Sequence, residues 1–231
     1  MLNSIAFIPD GNRRYASRAN VSLAEAYKLG TEKAWDVLGW LAAYPMIKVG
    51  TFYTLSLENL ARKGHEKAIL FKIFERELDS VKERSVLSEN GIQLKFLGRR
   101  DVFPQVIRQK MGEAEELTAD NGKRTINLAL GYNGQSEIVD AAKKFAQSCR
   151  LGEISPSELN EKTFRNYLYG NFPDPDLIVR TSGTQRLSGF LTYQSAYSEL
   201  CFVDKYWPEL QQQDLDRIVS DYSERDRRFG K

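Results

Sequence analysis

The sequence contains little cysteine, a single histidine and no long apolar run, and each shortage excludes a class of protein. The two cysteines, Cys149 and Cys201, stand far apart and fit neither a disulfide framework nor a metal-binding spacing. His65 is the only histidine, which excludes a histidine-rich metal centre. No stretch approaches the ~18 apolar residues that span a bilayer, and the apolar stretch at the N-terminus is too brief for a secretion signal. We therefore expect a cytoplasmic protein without a transmembrane segment, whose membrane contact is peripheral and serves product release.

Charge of one sign is not in excess either. Lysine and arginine total 33 against 31 acidic residues, and this net charge of +2 argues against a general nucleic-acid binder. Any anion-binding site must therefore be local. The chain has 231 residues, is 42% hydrophobic and contains no linker-like composition shift, so we expect residues 1–231 to form a single domain around one core.

Short apolar runs alternate with longer amphipathic stretches along the chain, which is typical of a parallel sheet covered by helices. The apolar runs predict strands near Ile5–Ile8, Val49–Leu55, Gln93–Leu97, Thr125–Leu130, Leu177–Arg180 and Leu200–Val203. Apolar residues at three- and four-residue spacings predict helices over Leu23–Tyr44, Glu66–Ser88, Val102–Asn121, Ser136–Cys149 and Asn160–Tyr169. The predicted fold is α/β, with a mostly parallel central sheet of about six strands flanked by helices.

Polar segments follow four of the predicted strands. They are 10–14, 56–62, 131–134 and 180–188, and they combine glycines, arginines and hydroxyl or amide side chains. Ligands of open α/β sheets bind outside the carboxyl ends of the strands, because loops converge there and helix N-termini present unpaired N–H groups. These four segments are therefore the candidate site.

The residue types in these segments suit a diphosphate held with magnesium. Guanidinium groups bind phosphate oxygens through paired hydrogen bonds, and backbone N–H groups can complete the cage. The candidate arginines are Arg13, Arg14, Arg62, Arg180 and Arg186. Magnesium is usually bound by one or two carboxylates plus phosphate oxygens and water, and Asp10 is the suitably placed carboxylate. Neither a dinucleotide-binding nor a P-loop glycine motif occurs, which makes a nucleotide-binding site a poor alternative.

Each of these segments also has an ordinary structural interpretation. Asp10-Gly11-Asn12 could simply be a turn that uses its side chains to bond the local backbone, and 180–183 could be a solvated loop with a helix cap. Their occurrence together at equivalent strand ends favours a functional site. The stretch Glu66–Ser88 carries apolar residues around more than one helical face, which is typical of a core helix and also suits the wall of a tunnel for a long apolar tail.

Several of these segments resemble the motifs of one family, the cis-prenyltransferases, which include undecaprenyl and dehydrodolichyl diphosphate synthases. The matching segments are Ile8–Ala16, Phe52–Asn59 followed by Arg62, Asp174–Gly183, Gln185–Phe190 and Tyr197–Leu200. The resemblance extends in order from Ile5 nearly to the end of the chain. It implies a cis-prenyltransferase-type fold with a hydrophobic tunnel.

The resemblance also implies a role for individual residues. Asp10 would be catalytic and would hold Mg2+ on the allylic diphosphate, Asn59 would help in deprotonation, and Glu199 would contribute to the metal site. Substrate contacts would come from Gly11, Asn12, Arg13, Arg14, Tyr15, Tyr27, Ser56, Leu57, Glu58, Arg62, Arg180, Arg186, Leu187 and Ser188, and from Arg228 and Gly230 reaching a neighbouring site. Of these, Arg180, Arg186 and Ser188 would hold the diphosphate of isopentenyl diphosphate.

The implied activity is a magnesium-dependent condensation of isopentenyl diphosphate with an allylic prenyl diphosphate, with release of diphosphate, by a homodimer. The chain departs from the usual motifs at several positions. It has Tyr27 where the family usually has histidine, Leu23 where it has arginine, Leu60 where it has an aromatic residue, and Thr184-Gln185 where a histidine is frequent. Gly131–Gly134 also differs from the usual Asn-Tyr-Gly-Gly. These departures favour a short- to medium-chain or non-standard product.

Two other functions are open to the sequence. The chain could be a non-catalytic partner subunit of a prenyltransferase complex, although the presence of Asp10 and Asn59 disfavours this alternative. It could also be an unrelated phosphate-binding hydrolase on an α/β sheet, but the sequence offers no persuasive pair of nucleophile and base.

Overall fold

One parallel sheet forms the centre of the computed structural model, which describes residues 1–61 and 64–225 apart from the side chain of His65. The strands are β1 (Ser4–Ile8), β2 (Val49–Ser56), β3 (Ile92–Leu97), β4 (Arg124–Tyr132), β5 (Leu177–Arg180) and β6 (Glu199–Phe202). Within the described residues these six strands lie in the order β3-β4-β2-β1-β5-β6, and every pairing is parallel. This confirms the predicted fold class and all six predicted strands.

Helices connect the strands, as parallel pairing requires. The helices are α1 (Asn12–Ala19), α2 (Leu23–Trp40), α3 (Leu57–Leu60), α4 (Gly64–Ser80), α5 (Ser85–Glu89), α6 (Gln105–Leu117), α7 (Gly134–Arg150), α8 (Glu161–Arg165) and α9 (Gln212–Glu224). In the part of the chain that the structure describes, none of them combines the length and apolar composition needed to cross a bilayer.

Four predicted helices are shorter than the apolar spacing indicates, and α6 covers only Gln105–Leu117 of the predicted Val102–Asn121. The stretch Glu66–Ser88 is not one helix, because α4 ends at Ser80. A 3-10 turn follows, and Arg84, whose ψ of 88° is not helical, separates this turn from α5. The predicted helix Asn160–Tyr169 contains only the five residues of α8, and the α-helical part of Leu23–Tyr44 ends at Trp40. Apolar spacing indicates which residues face the core. Residues in turns can show the same three- and four-residue spacing as residues in a continuous helix.

The core has two parts, one on each face of the sheet. Alternate residues of β1 enter different clusters, with Ile5 and Phe7 on one face and Ala6 and Ile8 on the other, as the two-residue period of a strand requires. The first face packs against α2, α4, α6 and α9, and there Phe7 stacks on Phe52 with 4.9 Å between ring centroids. This face carries most of the buried apolar surface and the helices that line the cavity described below.

The sheet brings the polar segments to one rim, because all six strands run in the same direction. Helix α1 starts four residues after the last residue of β1, and Gly11 is its N-cap. Ser56 ends β2 and caps α3 by accepting a hydrogen bond from the Asn59 N–H. Asn133 follows β4 and caps α7 by accepting from the N–H groups of Gln135 and Ser136.

Candidate active site

Asp10 stands at the centre of the rim, and its backbone is fixed by a threonine of the neighbouring strand end. The Asp10 N–H donates to Thr181 Oγ1 over 2.9 Å, and the same hydroxyl donates to the Asp10 carbonyl over 2.7 Å. Both contacts are protected from water, since Thr181 is buried. The carboxylate of Asp10 is thereby held at a fixed position between the ends of β1 and β5.

The charge of the Asp10 carboxylate is stabilised by its neighbours. Oδ2 accepts from Arg180 Nη2 at 2.7 Å and lies 3.2 Å from Arg14 Nη2, while Oδ1 accepts from the Gly11 N–H at 2.7 Å. Partial burial alone would raise the pKa of Asp10. The net effect is nevertheless a pKa below its ordinary value of 3.8, because Arg180 contributes a hydrogen bond and a positive charge, Arg14 a second charge and Gly11 an N–H donor. Asp10 is therefore an anion at neutral pH.

Arg180 links this carboxylate to the segment 186–188. Its Nη1 donates to Ser188 Oγ at 2.9 Å and to the carbonyl oxygen of Arg186. The Arg180 side chain is only 5% exposed, so its guanidinium cannot be satisfied by bulk water. Ser188 has a φ of 52°, a left-handed conformation that is uncommon for serine and that turns this hydroxyl towards Arg180.

Glycine is required at position 11 on two grounds. Its φ of 103° is costly for any residue with a Cβ, and an added Cβ would lie 2.8 Å from Tyr206 Cδ1. The close approach of Tyr206 also places its ring beneath two cations, with the guanidinium carbons of Arg14 and Arg18 lying 5.6 and 4.4 Å from the ring centroid. Gly11 and Tyr206 together therefore set the direction in which α1 leaves the sheet.

Two buried polar atoms at the rim have no partner within the described chain. They are Asn12 Oδ1 and Arg180 Nε, an acceptor and a charged donor. Asn12 lies against α2 at Gly30, where an added Cβ would come within 2.4 Å of Oδ1. Buried polar groups of native proteins are usually bonded, so an acceptor and a donor left in this position indicate a polar ligand.

The end of β2 supplies a second set of polar groups. Ser56 and Asn59 are joined through the α3 cap, and Glu58 Oε1 accepts from Asn133 Nδ2 at 2.6 Å, which ties the end of β2 to the end of β4. Tyr27 of α2 closes this side, where its hydroxyl donates to Glu66 Oε1 of α4 over 2.6 Å. These contacts place side chains from three parts of the chain around the same opening.

A cavity of about 1070 Å³ runs inward from the rim. The predicted site residues that line it are Asp10, Asn12, Arg14, Tyr27, Ser56, Glu58, Asn59, Arg180, Arg186, Leu187 and Ser188. Apolar side chains line it further in, among them Leu38, Phe74, Leu94 and Leu130. A second recess of about 1130 Å³ adjoins it and adds Gly11 and Arg13. An arginine-rich opening that leads into an apolar interior suits a ligand with an anionic head group and a hydrophobic tail.

The donor set at the rim fits a magnesium ion carried by a diphosphate. Asp10 has a carboxylate at the opening, and the surrounding arginines suit the phosphate oxygens that would complete the coordination. Among residues 1–61 and 64–225, no three Asp, Glu, His or Cys side chains come close enough together to form a cage for a metal ion. This excludes a metal site built from those residues alone, but it agrees with magnesium held mainly through substrate and water.

Three predicted site residues lie elsewhere in the described chain. Tyr15 and Leu57 line neither cavity. Glu199 starts β6 opposite Leu177, at the end of the sheet away from Asp10, and its Oε2 accepts from Arg225 at 3.2 Å. The structure therefore does not bring Glu199 to Asp10 within one chain. Arg62, Arg228 and Gly230 fall outside the described residues.

Sequence reasoning assigned no role to three residues that shape the site. Thr181 fixes Asp10, Ser182 Oγ accepts from Arg14 Nη2 at 2.6 Å, and Tyr206 packs against Gly11. The hydroxyls of Thr181 and Ser182 directly follow Arg180 in the sequence, which is a signal that could have been used. Tyr206 gives no such signal, because its contact with Gly11 depends on how distant segments meet.

Comparisons with known proteins agree with this geometry. A family model for undecaprenyl diphosphate synthases matches residues 8–230. A Methanopyrus kandleri protein named tritrans,polycis-undecaprenyl-diphosphate synthase (geranylgeranyl-diphosphate specific) is 40% identical over 228 residues, which cover 98% of this chain and 84% of that protein. A protein of the same name from Pyrobaculum aerophilum is 42% identical over 228 residues, covering 98% and 95%. The crystal structure of lavandulyl diphosphate synthase from Lavandula x intermedia in complex with dimethylallyl diphosphate superposes with a TM-score of 0.94 at 31% identity, covering 100% of this chain and 98% of that one.

Proposed function

Since the chain belongs to the undecaprenyl diphosphate synthase family of prenyltransferases, as its motifs predicted, we propose that it condenses isopentenyl diphosphate with an allylic prenyl diphosphate. One observation carries this proposal. Asp10 and Arg180 meet at the mouth of a cavity of about 1070 Å³ whose interior is apolar. The mouth can bind diphosphates, and the interior can hold a hydrocarbon tail.

We assign the two diphosphates to neighbouring parts of the mouth. The allylic diphosphate lies at the start of α1, where Gly11, Asn12, Arg13 and Arg14 surround it and Asp10 would hold its magnesium ion. The diphosphate of isopentenyl diphosphate lies at the end of β5, where it takes hydrogen bonds from Arg180, Arg186 and Ser188. The orphaned Arg180 Nε, a charged donor, supports this assignment.

The chemistry follows from where charge develops. The allylic C–O bond breaks, the terminal carbon of isopentenyl diphosphate forms the new C–C bond, and the departing diphosphate takes both electrons of the broken bond. A bound magnesium ion would stabilise the negative charge on the leaving oxygen, and Arg13 and Arg14 add positive charge at the same place. The condensed cation then loses one proton to an oxygen of the departing diphosphate, which gives the new double bond, and Asn59, at the cavity mouth, assists this step.

The substrate and product class remain part of the proposal. The relatives from Methanopyrus kandleri and Pyrobaculum aerophilum are named as specific for geranylgeranyl diphosphate, and the lavandulyl diphosphate synthase structure contains dimethylallyl diphosphate. We propose that this chain accepts an allylic diphosphate within that range and releases a short- to medium-chain product. The altered mouth residues Leu23 and Tyr27 support a product that differs from the long polymer of the standard motifs.

The proposal extends to assembly and location. We propose that residues 1–231 act as one domain in a cytoplasmic homodimer that touches a membrane peripherally to release product. Tyr197 and Leu200 support an interface at β6, since they are 83% and 40% exposed beside the last strand of the sheet. Light scattering on the purified chain gives the mass of the assembly, and a monomer would contradict the dimer.

The test of the activity uses the purified chain with Mg2+, labelled isopentenyl diphosphate and allylic diphosphates of 5, 10, 15 and 20 carbons. Mass spectrometry should detect at least one product longer than its primer by multiples of five carbons. Long polymers alone would contradict the proposed product class, and release of phosphate without C–C bond formation would contradict the function. Equal turnover by the Asp10→Ala variant would favour a non-catalytic partner subunit instead.

A further inference from the structure

The turn that carries Ser188 has a strained backbone. Ser188, Gly189 and Leu191 have φ values of 52°, 74° and 45°, all in the left-handed region. Glycine adopts this region without a steric penalty, whereas serine does so uncommonly and a bulky residue such as Leu191 is an outlier there. Such conformations persist only where surrounding contacts hold them. The contacts around this turn therefore decide where the Ser188 side chain points.

Main-chain hydrogen bonds hold the residues on either side of Ser188. The Gly134 N–H, at the start of α7, donates to the Gly189 carbonyl over 2.7 Å. The Phe190 N–H donates to the Leu187 carbonyl over 3.0 Å and closes the turn. Neither bond involves the peptide groups of Ser188, the residue whose hydroxyl we assign to the substrate.

The Tyr53 hydroxyl contacts Ser188 directly. Tyr53 belongs to β2 and lines the cavity, and its hydroxyl lies 3.3 Å from the Ser188 carbonyl oxygen and 3.4 Å from the carbonyl oxygen of Tyr132. A single O–H can be shared between two acceptors in this way. Burial and the negative charge of Glu58 raise the pKa of Tyr53, so the hydroxyl keeps its proton at neutral pH and is available as a donor.

The ring of Tyr53 contacts the same turn. It stacks on Phe190, with 4.7 Å between the ring centroids and 12° between the ring planes, and Phe190 is fully buried. Tyr53 thus contacts the turn on both sides of Gly189, with its hydroxyl at Ser188 and its ring at Phe190. The ring fixes the position of the segment, and the hydroxyl fixes the orientation of the Ser188 carbonyl.

Ser188 connects this contact to the proposed substrate site. Its Oγ accepts from Arg180 Nη1 at 2.9 Å. The direction of a side chain depends on the φ and ψ of its own residue, so a rotation of the Ser188 peptide would also move this oxygen. A donor that holds the Ser188 carbonyl therefore also holds its hydroxyl against Arg180.

We propose that Tyr53 is a positioning residue for the isopentenyl diphosphate site, an inference that rests on the function proposed above. Its hydroxyl holds the left-handed turn at Ser188, so that the Ser188 hydroxyl and Arg180 together face the diphosphate. Tyr53 acts through Ser188 and makes no contact of its own with the substrate.

Tyr53→Phe tests the hydroxyl alone, because phenylalanine keeps the ring that stacks on Phe190. The matched control is Tyr193→Phe, since the Tyr193 hydroxyl also donates to a main-chain carbonyl, that of Glu161 at 3.1 Å, but Tyr193 does not line the cavity. Ser188→Ala and the double variant Tyr53→Phe/Ser188→Ala complete a double-mutant cycle. For each full-length chain, calorimetry gives the Kd of isopentenyl diphosphate, and the first condensation gives kcat and both KM values. The Tm is measured in parallel.

We expect Tyr53→Phe to raise the Kd and KM for isopentenyl diphosphate about 3- to 10-fold, as for the loss of one neutral hydrogen bond. The KM for the allylic substrate should stay unchanged, and so should every parameter of Tyr193→Phe. In the Ser188→Ala background, Tyr53→Phe should have no further effect on the Kd.

Two results would overturn the inference. One is a normal Kd for isopentenyl diphosphate in Tyr53→Phe, and the other is the same fold increase with and without the Ser188 hydroxyl, which would show that Tyr53 acts independently of Ser188. A merely structural role would lower the Tm and affect both substrates alike, and it would also contradict the inference.

The binding measurement separates this inference from the proposed function. If the unsubstituted chain binds isopentenyl diphosphate but forms no C–C bond, the proposed function fails, and the Kd values alone decide the role of Tyr53. If the unsubstituted chain does not bind isopentenyl diphosphate, the inference fails together with the proposed function.

Discussion

Arg180 Nη2 donates to Asp10 Oδ2 over 2.7 Å, a contact between residues 170 positions apart in the sequence. The residue assigned to one diphosphate thus directly touches the residue assigned to the metal of the other. Two substrates bound to these groups would lie side by side, which is the arrangement that a condensation needs. The same contact pairs a buried cation with a half-buried carboxylate.

The variant Arg180→Lys should weaken binding of isopentenyl diphosphate. Lysine keeps the charge but cannot reproduce the forked contacts that Arg180 makes with Asp10 and Ser188. Loss of one charged hydrogen bond costs about 1.5–3 kcal/mol, so we expect KM for isopentenyl diphosphate to rise about 10- to 100-fold. Steady-state kinetics with a saturating allylic primer measure this change.

Arg165→Lys is the matched control for this experiment. Arg165 also forms a forked pair, with the two oxygens of Asp174 at 2.6 and 2.7 Å, but it does not line the cavity. We expect its KM to equal that of the unsubstituted chain. An equal rise of KM in both variants would show that Arg180 has no particular role in substrate binding.

The variant Asp10→Asn should lose most of the activity while keeping the fold. The amide has nearly the same shape but no charge, so it cannot hold a magnesium ion or balance Arg180 and Arg14. We expect kcat to fall by a factor on the order of 10²–10³, as for removal of other groups that stabilise a charged transition state. Chelation of divalent ions should abolish turnover by the unsubstituted chain, and added Mg2+ should restore it.

Asp36→Asn provides the control for the loss of a carboxylate. Asp36 is an exposed residue of α2 that pairs with Lys33 at 2.9 Å, away from the cavity. Its substitution should leave kcat unchanged. If Asp10→Asn also turned over at the normal rate, Asp10 would not be the metal-binding carboxylate.

The sequence was sufficient to predict the sheet and the rim at which the polar strand ends meet, for physical reasons. Buried parallel strands need short, continuous apolar runs, and such runs are visible at Ile5–Ile8 and Leu177–Arg180 without knowledge of the fold. Polar residues directly after those runs must lie at the same rim. The motif resemblance then predicted which of these polar residues contact substrate.

The remaining features depend on distant contacts that local sequence does not encode. Helix α1 has no broad apolar face, and Ala16 is its only buried residue, so periodicity did not reveal it. The break after α4 occurs where Arg84 contacts Glu77 and Trp35, and Trp35 belongs to a distant segment of the chain. The contact of Thr181 with Asp10 depends on the pairing of β5 with β1, which neither segment shows by itself.

The pH dependence of stability should reveal the pairing of Asp140. Its carboxylate accepts from Arg99 Nε at 2.8 Å, Arg99 Nη2 at 2.9 Å and the Tyr169 hydroxyl at 2.5 Å. The hydrogen bond from Arg99 is the main cause that lowers the pKa of Asp140 from 3.8 to about 2. A carboxylate with a lowered folded-state pKa stabilises the protein above its unfolded-state pKa, and this contribution is lost as the pH falls through the folded value.

We therefore expect Asp140→Asn to lower the free energy of unfolding by about 1–2 kcal/mol at pH 7, since a shift of nearly two pKa units at about 1.4 kcal/mol each is reduced by solvent screening of this partly exposed pair. The difference from the unsubstituted chain should shrink as the pH falls from about 4 towards 2. Urea unfolding followed by circular dichroism at several pH values measures it. A difference that stayed constant over this range would show that the charge of Asp140 does not contribute.

Thr181→Val should disturb Asp10 without touching substrate. Valine has nearly the same shape, but it removes the hydroxyl that bonds both the N–H and the carbonyl of Asp10. The Asp10 N–H and carbonyl keep their contacts with the Ile8 carbonyl at 2.8 Å and the Trp207 N–H at 3.0 Å, so only the hydrogen bonds with the hydroxyl are lost. At about 0.5–1.5 kcal/mol for each hydrogen bond, we expect the free energy of unfolding to fall by about 1–2 kcal/mol and the Asp10 carboxylate to be less firmly positioned. A higher Mg2+ concentration should then be needed for half-maximal activity. Thr181→Ser retains the hydroxyl and should restore the normal requirement, whereas an equal defect in both variants would mean that the lost methyl group, rather than the hydrogen bonds, is responsible.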